Sequence, residues 1–330
     1  MKKTVLAGVD VSADSLVVAV KTRQQSRLLT FPNNAAGHTK LRRHLTRGGR
    51  AARVCLESTG VYGLDAALAL HESPHIEVMV ANPRAVSDFA RARFQRSKTD
   101  TADATTILEF LERMPFEPWN PPAQEILDLR ALSRRIRALK VEITREENRL
   151  HAARRQRHLV HSIEDDIDAN IDHLRASIDR LTRDALEIIG QHPNLCRRFE
   201  QLISIKGVAQ TSAVAILAEL AVLPPDMNAR QWVAHAGLDP RHYESGTSVH
   251  KPARISKTGN RRLRAALFMP AMVAVRHEPH VRAFYEKLLA KGKKPLQALV
   301  AVMRKLLHAI YGMFSKNEDF DGEMFYALSA

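Results

Sequence analysis

Four carboxylates stand out by where they fall: Asp10 in VLAGVDVS, Glu57 in RVCLES, and Asp100 with Asp103 in SKTDTAD. The first two sit at the ends of short apolar runs that read as buried strands. The other two lie three apart at the start of a helical pattern, so they share a face, with Ser97 or Thr99 as the N-cap. Carboxylates at two strand ends and one helix start could converge into an oxygen cage for Mg²⁺, the hard cation of phosphoryl transfer. Taken singly, each acid has a plainer reading. Asp10 could cap a turn, Glu57 could be a surface charge, and Asp100 could simply suit a helix N-terminus. It is the combination, in this order and on these elements, that points to chemistry. Thr59, Gly60 and Tyr62 follow Glu57 closely enough to shape the same pocket, although a strand-to-helix turn explains them equally well.

A second centre spans His242–Arg264, HYESGTSVHKPARISKTGNRRLR. Ser245 precedes Gly246 in a stretch read as a loop and bracketed by cations. A serine hydroxyl is a weak nucleophile unless a base, a metal or a strong local field activates it, and on spacing alone Ser245 is a turn serine. Arg254, Lys257, Arg261, Arg262 and Arg264 form a basic cluster entering a helix, with Arg241 and Lys251 just before it. Such a cluster suits phosphate neutralisation more than base reading.

The elements that must carry these residues follow from pattern. VLAGVDV, SLVVAVKT and RLLTF read as three strands. A helix near Gly37–Arg47, the strand RVCLES, a helix near Leu64–His71, the strand EVMVA and helices from Pro83 come next. This order predicts a mixed sheet covered by helices, an α/β domain over residues 1–122 that ends at PFEPWNPP. Heptads follow at Leu129, Leu132, Ile136, Leu139 and Ile143, then from Val160 through Ile178 to Ala185. They predict a helical coiled-coil linker over 123–190, interrupted by the basic HAARRQRH. The apolar stripes fit either a hairpin within one chain or a seam between chains, and the interruption fits a solvated turn or a phosphate contact. The rest, 191–330, reads as mainly helical. It opens with a helix-hairpin-helix element whose turn, Lys206–Ala209, contains Gly207. Such a turn can bring backbone N–H groups to a phosphate, though packing is the commoner reason for the glycine.

A chain of 330 residues exceeds one typical core. Its 50 Lys and Arg outweigh 36 Asp and Glu, for a net charge of +14 and a pI near 10.1. Between Arg230 and Ile310 there are 16 cations against Asp239, Glu244, Glu278 and Glu286. Charge concentrated this way is the footprint of a polyanion site, or a solvated basic face. Cys55 and Cys196 are the only cysteines, which argues against a zinc site or a disulfide scaffold. The N-terminus reads as a strand, not a signal peptide, and no apolar stretch reaches the roughly 18 residues of a membrane span. The expected location is the bacterial cytoplasm.

At this point the motifs carry a resemblance. GVDVS, CLESTGVY, SKTDTADA, ISIKGVAQTSA, AGLDPRHYESG and ISKTGNRRLRAAL occur in the order found in the DEDD transposases of bacterial insertion sequences. That family includes Piv-like invertases and bridge-RNA-guided recombinases. The resemblance covers nearly the whole length. It implies a RuvC-like (RNase H fold) domain with the Mg²⁺-binding tetrad Asp10, Glu57, Asp100 and Asp103, a helical arm, and a C-terminal transposase domain with Ser245 as nucleophile. It further implies DNA as substrate, a structured noncoding guide RNA, and a homodimer or homotetramer in which the two centres could meet across subunits. Lys206, Gly207, Arg241, Lys251, Arg254, Lys257, Arg261, Arg262 and Arg264 are the expected nucleic-acid contacts. Lys206 and Ala209 stand where relatives often carry Pro and Gly, which argues against a close backbone–phosphate contact at Ala209. Two other readings stay open: a junction-resolving nuclease that uses metal-activated water, and a nucleic-acid-binding protein without catalysis.

Overall fold

The computed structural model describes all residues except 1–3, 22–25, 58–60, 95–98, 159, 246–248 and 329–330, and at 61, 242–245 and 249–253 it describes the backbone alone. The chain divides into two compact units, Met1–Pro121 and Pro122–Ala330.

In the N-terminal unit, β1 (Val5–Val11), β2 (Ser15–Lys21) and β3 (Ser26–Pro32) form an antiparallel meander. Then come α1 (Ala35–Leu45), β4 (Ala52–Glu57), α2 (Val61–His71), β5 (Ile76–Ala81), α3 (Pro83–Ala92) and α4 (Asp100–Arg113). The sheet order is β3-β2-β1-β4-β5, with β4 parallel to both β1 and β5. The expected mixed sheet therefore forms from the segments read as strands. Its central strands are buried on both faces, which is why they read as continuous apolar runs. Alternation assigns the faces. Ala7, Val9, Val54, Leu56 and Val78 pack with Leu41 and Leu45 of α1 and Ala66, Ala67 and Leu70 of α2. On the opposite face Cys55, Met79 and Ala81 meet Ile107, Phe110 and Leu111, and Val17 and Ala19 meet Ala104 and Leu108. Helix α4 thus covers the second face. The edge of β5 is used by PFEPWNPP, where the Trp119 N–H donates to the Val78 carbonyl at 2.7 Å.

The C-terminal unit opens with two long helices, α5 (Gln124–Ala153) and α6 (His161–Gln191). Ile136, Leu139 and Ile178 form a buried seam with Ile143, Leu174 and Leu181 beside it. These heptad positions pack on each other within one chain, whereas Val160 and Ile163 at the start of the second run stay exposed. HAARRQRH makes the turn between them, pinned by Arg154, which reaches Glu164 at 2.6 Å and Asp168 at 3.3 Å. Next are α7 (Pro193–Ser204), α8 (Gln210–Leu220), α9 (Ala229–His235), the strands β6 (Pro240–Ser245) and β7 (Val249–Ile255), then α10 (Arg261–Ala266), α11 (Phe268–His277), α12 (Pro279–Ala290), α13 (Pro295–Lys316) and α14 (Gly322–Phe325). One large core joins α7–α13 to Leu129 of α5 and Ala185 and Ile189 of α6, so the base of the arm belongs to this unit.

Two expectations are corrected here. The stretch read as a loop contains a two-stranded hairpin, hidden in the sequence because its strands carry charge on both faces. Between the pairs Arg241–Arg254 and Tyr243–Lys251 the register shifts, so Pro252 and Ala253 stand opposite His242. A bulge is where a strand tolerates proline. Second, α13 is by length and composition apolar enough to cross a membrane. Val302, Met303, Leu306, Leu307, Ile310 and Met313 from it are buried in the core.

Candidate functional site

The acidic site is built by register. Asp10 follows Val9, which pairs with Leu56, so Asp10 and Glu57 occupy neighbouring positions at the ends of two parallel strands. Both lie two residues beyond a position on the α4 face, Gly8 for Asp10 and Cys55 for Glu57, and so share that face. Gly8 fixes how close α4 comes. A Cβ there would collide with the Leu108 backbone nitrogen and stand 2.6 Å from the Ala104 carbonyl oxygen. The helix direction follows from its far end, where Glu112 pairs with Lys21 at 2.8 Å, one residue beyond the Ala7–Val20 pair. Helix α4 thus runs antiparallel to β1, and its first turn, with Asp100 and Asp103, lies at the end of the sheet that carries Asp10 and Glu57.

That first turn is well made. Thr99 is the N-cap, its hydroxyl accepting from the Ala102 N–H at 3.2 Å; Ser97 lies outside the described residues. Carboxylates at this position complement the helix dipole. Asp100 is exposed, while Asp103, Asp10 and Glu57 are half-buried. Among the described residues no three acidic, histidine or cysteine side chains are gathered closely enough to hold a cation. The four acids share an end of the sheet without forming a closed cage. Their chemistry still suits a hard cation, being all carboxylate oxygen. The nearby Cys55 adds no soft ligand, since burial first and then Glu57 push its thiol up to about 12.

The rim beside these acids is stitched together. Asn33 donates from Nδ2 to the Ser12 carbonyl at 2.8 Å and to the Tyr62 carbonyl at 3.3 Å, and His38 Nε2 contacts its Oδ1 at 2.8 Å. Tyr62 is exposed. Thr59 and Gly60 lie outside the described residues.

In the C-terminal unit, Ser245 ends β6 opposite Val249, and Gly246 to Ser248 lie outside the described residues. Lys251 sits in β7, opposite Tyr243. Arg241 and Arg254 are exposed and paired across the hairpin. Like charges directly opposite one another destabilise a strand pair, and a bound polyanion would lift that cost.

The remaining cations differ sharply in freedom. Arg261, Arg262 and Lys257 are exposed. Arg264 donates from Nη1 to the Ala236 carbonyl at 2.7 Å and is held to the scaffold. Lys206 is exposed, but Gly207 is explained by packing: at φ +105°, its Cα faces α11, where a Cβ would stand 2.8 Å from the Ala274 nitrogen and the Pro270 oxygen.

Residue reading missed a buried network beneath ISKTGNRRLR. Asn260 caps α10 through Oδ1 and donates from Nδ2 to Glu219 at 2.7 Å. Glu219, 2% exposed, also meets Arg134 at 3.2 Å and Arg130 at 3.8 Å. Burial would raise its pKa, but the Asn260 amide and the two guanidiniums outweigh burial and hold it below the usual range. A glutamate inside the otherwise apolar SAVAILAEL was the available signal.

Comparison with known proteins agrees with the motifs. A transposase family of the DEDD, IS110 type matches residues 7–159, and the transposase IS116/IS110/IS902 family matches residues 199–286. The chain is 29% identical over 326 residues to a pilin gene-inverting protein of Moraxella lacunata, covering 97% of this chain and 98% of the relative. Its counterpart in Moraxella bovis is 28% identical over the same length. A putative transposase of Sinorhizobium fredii is 27% identical over 286 residues, 72% of this chain and 70% of the relative.

Proposed function

This chain belongs to the DEDD transposases of bacterial insertion sequences, enzymes that cut and rejoin DNA, and from that premise we propose how its own residues divide the work. The N-terminal unit is a RuvC-like domain in which Asp10, Glu57, Asp100 and Asp103 bind Mg²⁺. Such a cation supplies Lewis-acid polarisation of a phosphoryl oxygen. The four carboxylates would hold and orient that cation, and their own charge would repel a phosphate in its absence. The observation that carries this reading is the placement of Asp10, Glu57 and the first turn of α4 at one end of the sheet.

Ser245 is the nucleophile. Its Oγ gives up its proton and bonds to phosphorus as the bond to the departing strand's oxygen breaks, and that oxygen leaves as a hydroxyl, so that the proton lost by the serine is in net terms the one the leaving strand gains. The phosphoserine link conserves the phosphodiester energy, so a hydroxyl of the new partner strand can reverse the step and free Ser245. Its place at the end of β6, in a strand pair where Arg241 and Arg254 stand opposite each other, supports this role. The basic C-terminal unit contacts DNA through Arg241, Lys251, Arg254, Lys257, Arg261 and Arg262, and a structured noncoding RNA pairs with donor and target. The outcome is insertion or inversion of a DNA segment by an oligomer.

The test is covalent trapping. Denatured reactions of the wild type are expected to contain protein joined to DNA, and Ser245→Ala none. Ser248→Ala is the control and is expected to keep the adduct. Wild-type nicking by Ser245→Ala, without adduct, would replace this mechanism with a water-using nuclease.

A further inference from the structure

We propose that the groove where α5 crosses α8 and α10 seats the phosphodiester backbone of a polynucleotide, gripped by Arg137, Lys140 and Arg262 above the first turn of α8. This rests on the nucleic-acid reading above and adds to it a site away from the β6–β7 strand pair.

The groove encloses a cavity of about 210 Å³, lined by Arg134, Arg137, Lys140, Thr211, Arg262 and Met269 among others. Its one carboxylate, Glu219, is already engaged by Arg130, Arg134 and Asn260. Arg137, Lys140 and Arg262 have no carboxylate within ion-pair distance among the described residues. Three uncompensated cations around one cavity repel one another, and an anion would relieve all three. Lys140, exposed overall, turns its Nζ to the Thr211 hydroxyl and donates to it at 3.2 Å, and partial desolvation there lowers its pKa from the usual lysine range. Thr211 and Ser212 open α8, whose N-cap residue, Ala209, offers no side-chain acceptor. The Ala209 carbonyl takes the Ser212 N–H at 2.9 Å, which leaves the N–H groups of Gln210 and Thr211 for another acceptor.

Two features favour a polymer over a lone anion. Arg130, Arg134, Arg137 and Lys140 step by four, three and three residues along α5, about 15 Å; Glu219 holds the first two, and the free Arg137 and Lys140 share the groove with Arg262, so that more than one phosphate can be met. Between the cations the accessible surface is apolar, from Ala265 and from Met269, which is 55% exposed at the rim, over a floor of buried Ile136 and Val214. Sugars can rest on such a surface while phosphates meet the cations. The turn between α7 and α8 is unsuited to this, since Gly207 is committed to α11.

The experiment is fluorescence anisotropy of the full chain with a labelled DNA duplex and, separately, a labelled structured RNA, each over a salt series. Arg137→Gln/Lys140→Gln is expected to bind about tenfold more weakly, with the salt slope reduced by about two. Arg262→Gln, a single surface change, provides a second variant, and its slope is expected to fall by about one. Thermal melting should be unchanged because the partners of Glu219 remain. Loss confined to DNA or to RNA assigns the groove to that polymer. Unchanged affinity and slope on both, while the wild type still forms its DNA adduct, would overturn the groove and leave the recombinase reading standing. A wild type that binds neither polymer and forms no adduct would overturn both.

Discussion

The two units place charged residues by opposite means. In the N-terminal unit the four acids are set by regular structure: two by parallel-strand register, two by the first turn of a helix packed on that sheet. In the C-terminal unit charges are set by long-range partners. Glu219 is engaged by the Asn260 amide, 41 residues away, and Arg264 by the Ala236 carbonyl, 28 residues away. Periodicity can locate the first kind of residue. For the second kind, what a side chain is free to do depends on something that local sequence does not encode.

The largest effect is expected where register alone assembles the site. Asp10→Asn should lower strand cleavage by on the order of a thousandfold, the loss of several kcal/mol of charge stabilisation, while melting stays near wild type. Gly8→Ala sharpens the point without touching an acid. Its methyl would strike the α4 backbone, forcing the helix off the sheet and moving Asp100 and Asp103. Both a stability loss of about 3 kcal/mol and loss of adduct formation are expected, measured by urea unfolding and trapping. Full activity in Gly8→Ala would show that the distance from α4 to the sheet does not set the chemistry.

A smaller effect is expected from the buried network. Glu219→Ala leaves Arg130, Arg134 and Asn260 facing an empty place, at a cost of about 3 kcal/mol. The pH dependence has a definite sign. The depressed pKa of Glu219 gives stability fully present above its unfolded value, near 4.3, and lost as pH falls through the folded value. Burial likewise depresses His235. The unfolded chain then takes up that proton first, so stability begins to fall below about pH 6.5. Chemical unfolding followed from pH 7 to pH 3 should show two declining segments in the wild type and lose the lower one in Glu219→Ala. A flat profile would mean that neither group senses its burial.

Legibility followed the same division. The strands of the N-terminal unit match the apolar runs, and the prolines of PFEPWNPP mark its end, because each signal is local. The pairing of α5 with α6 left its partner undetermined, since a heptad stripe looks the same whether its mate is in the same chain or another. Strands β6 and β7 were unreadable for a different reason: Arg241, Glu244, Lys251 and Arg254 break the alternation that marks a half-buried strand. The cations along α5 escaped notice because they punctuate a heptad helix, where charge ordinarily means solvent.

The finest test compares neighbours within one motif. Arg261 and Arg264 are three apart in GNRRLR and look interchangeable as phosphate contacts. In the fold Arg261 is exposed and has no ion pair among the described residues, whereas Arg264 is half-buried against Ala236. Burial depresses the Arg264 pKa, with Arg261 adding to it, so the guanidinium is spending solvation to hold that carbonyl. Arg264→Gln should therefore cost about 1.5 kcal/mol in urea unfolding, the scale of a hydrogen bond from a charged donor, with the salt slope of DNA binding unchanged. Arg261→Gln should leave stability within about 0.5 kcal/mol and reduce that slope by about one. If the two exchange behaviours, the scaffold role of Arg264 fails and the motif acts as a single phosphate clamp.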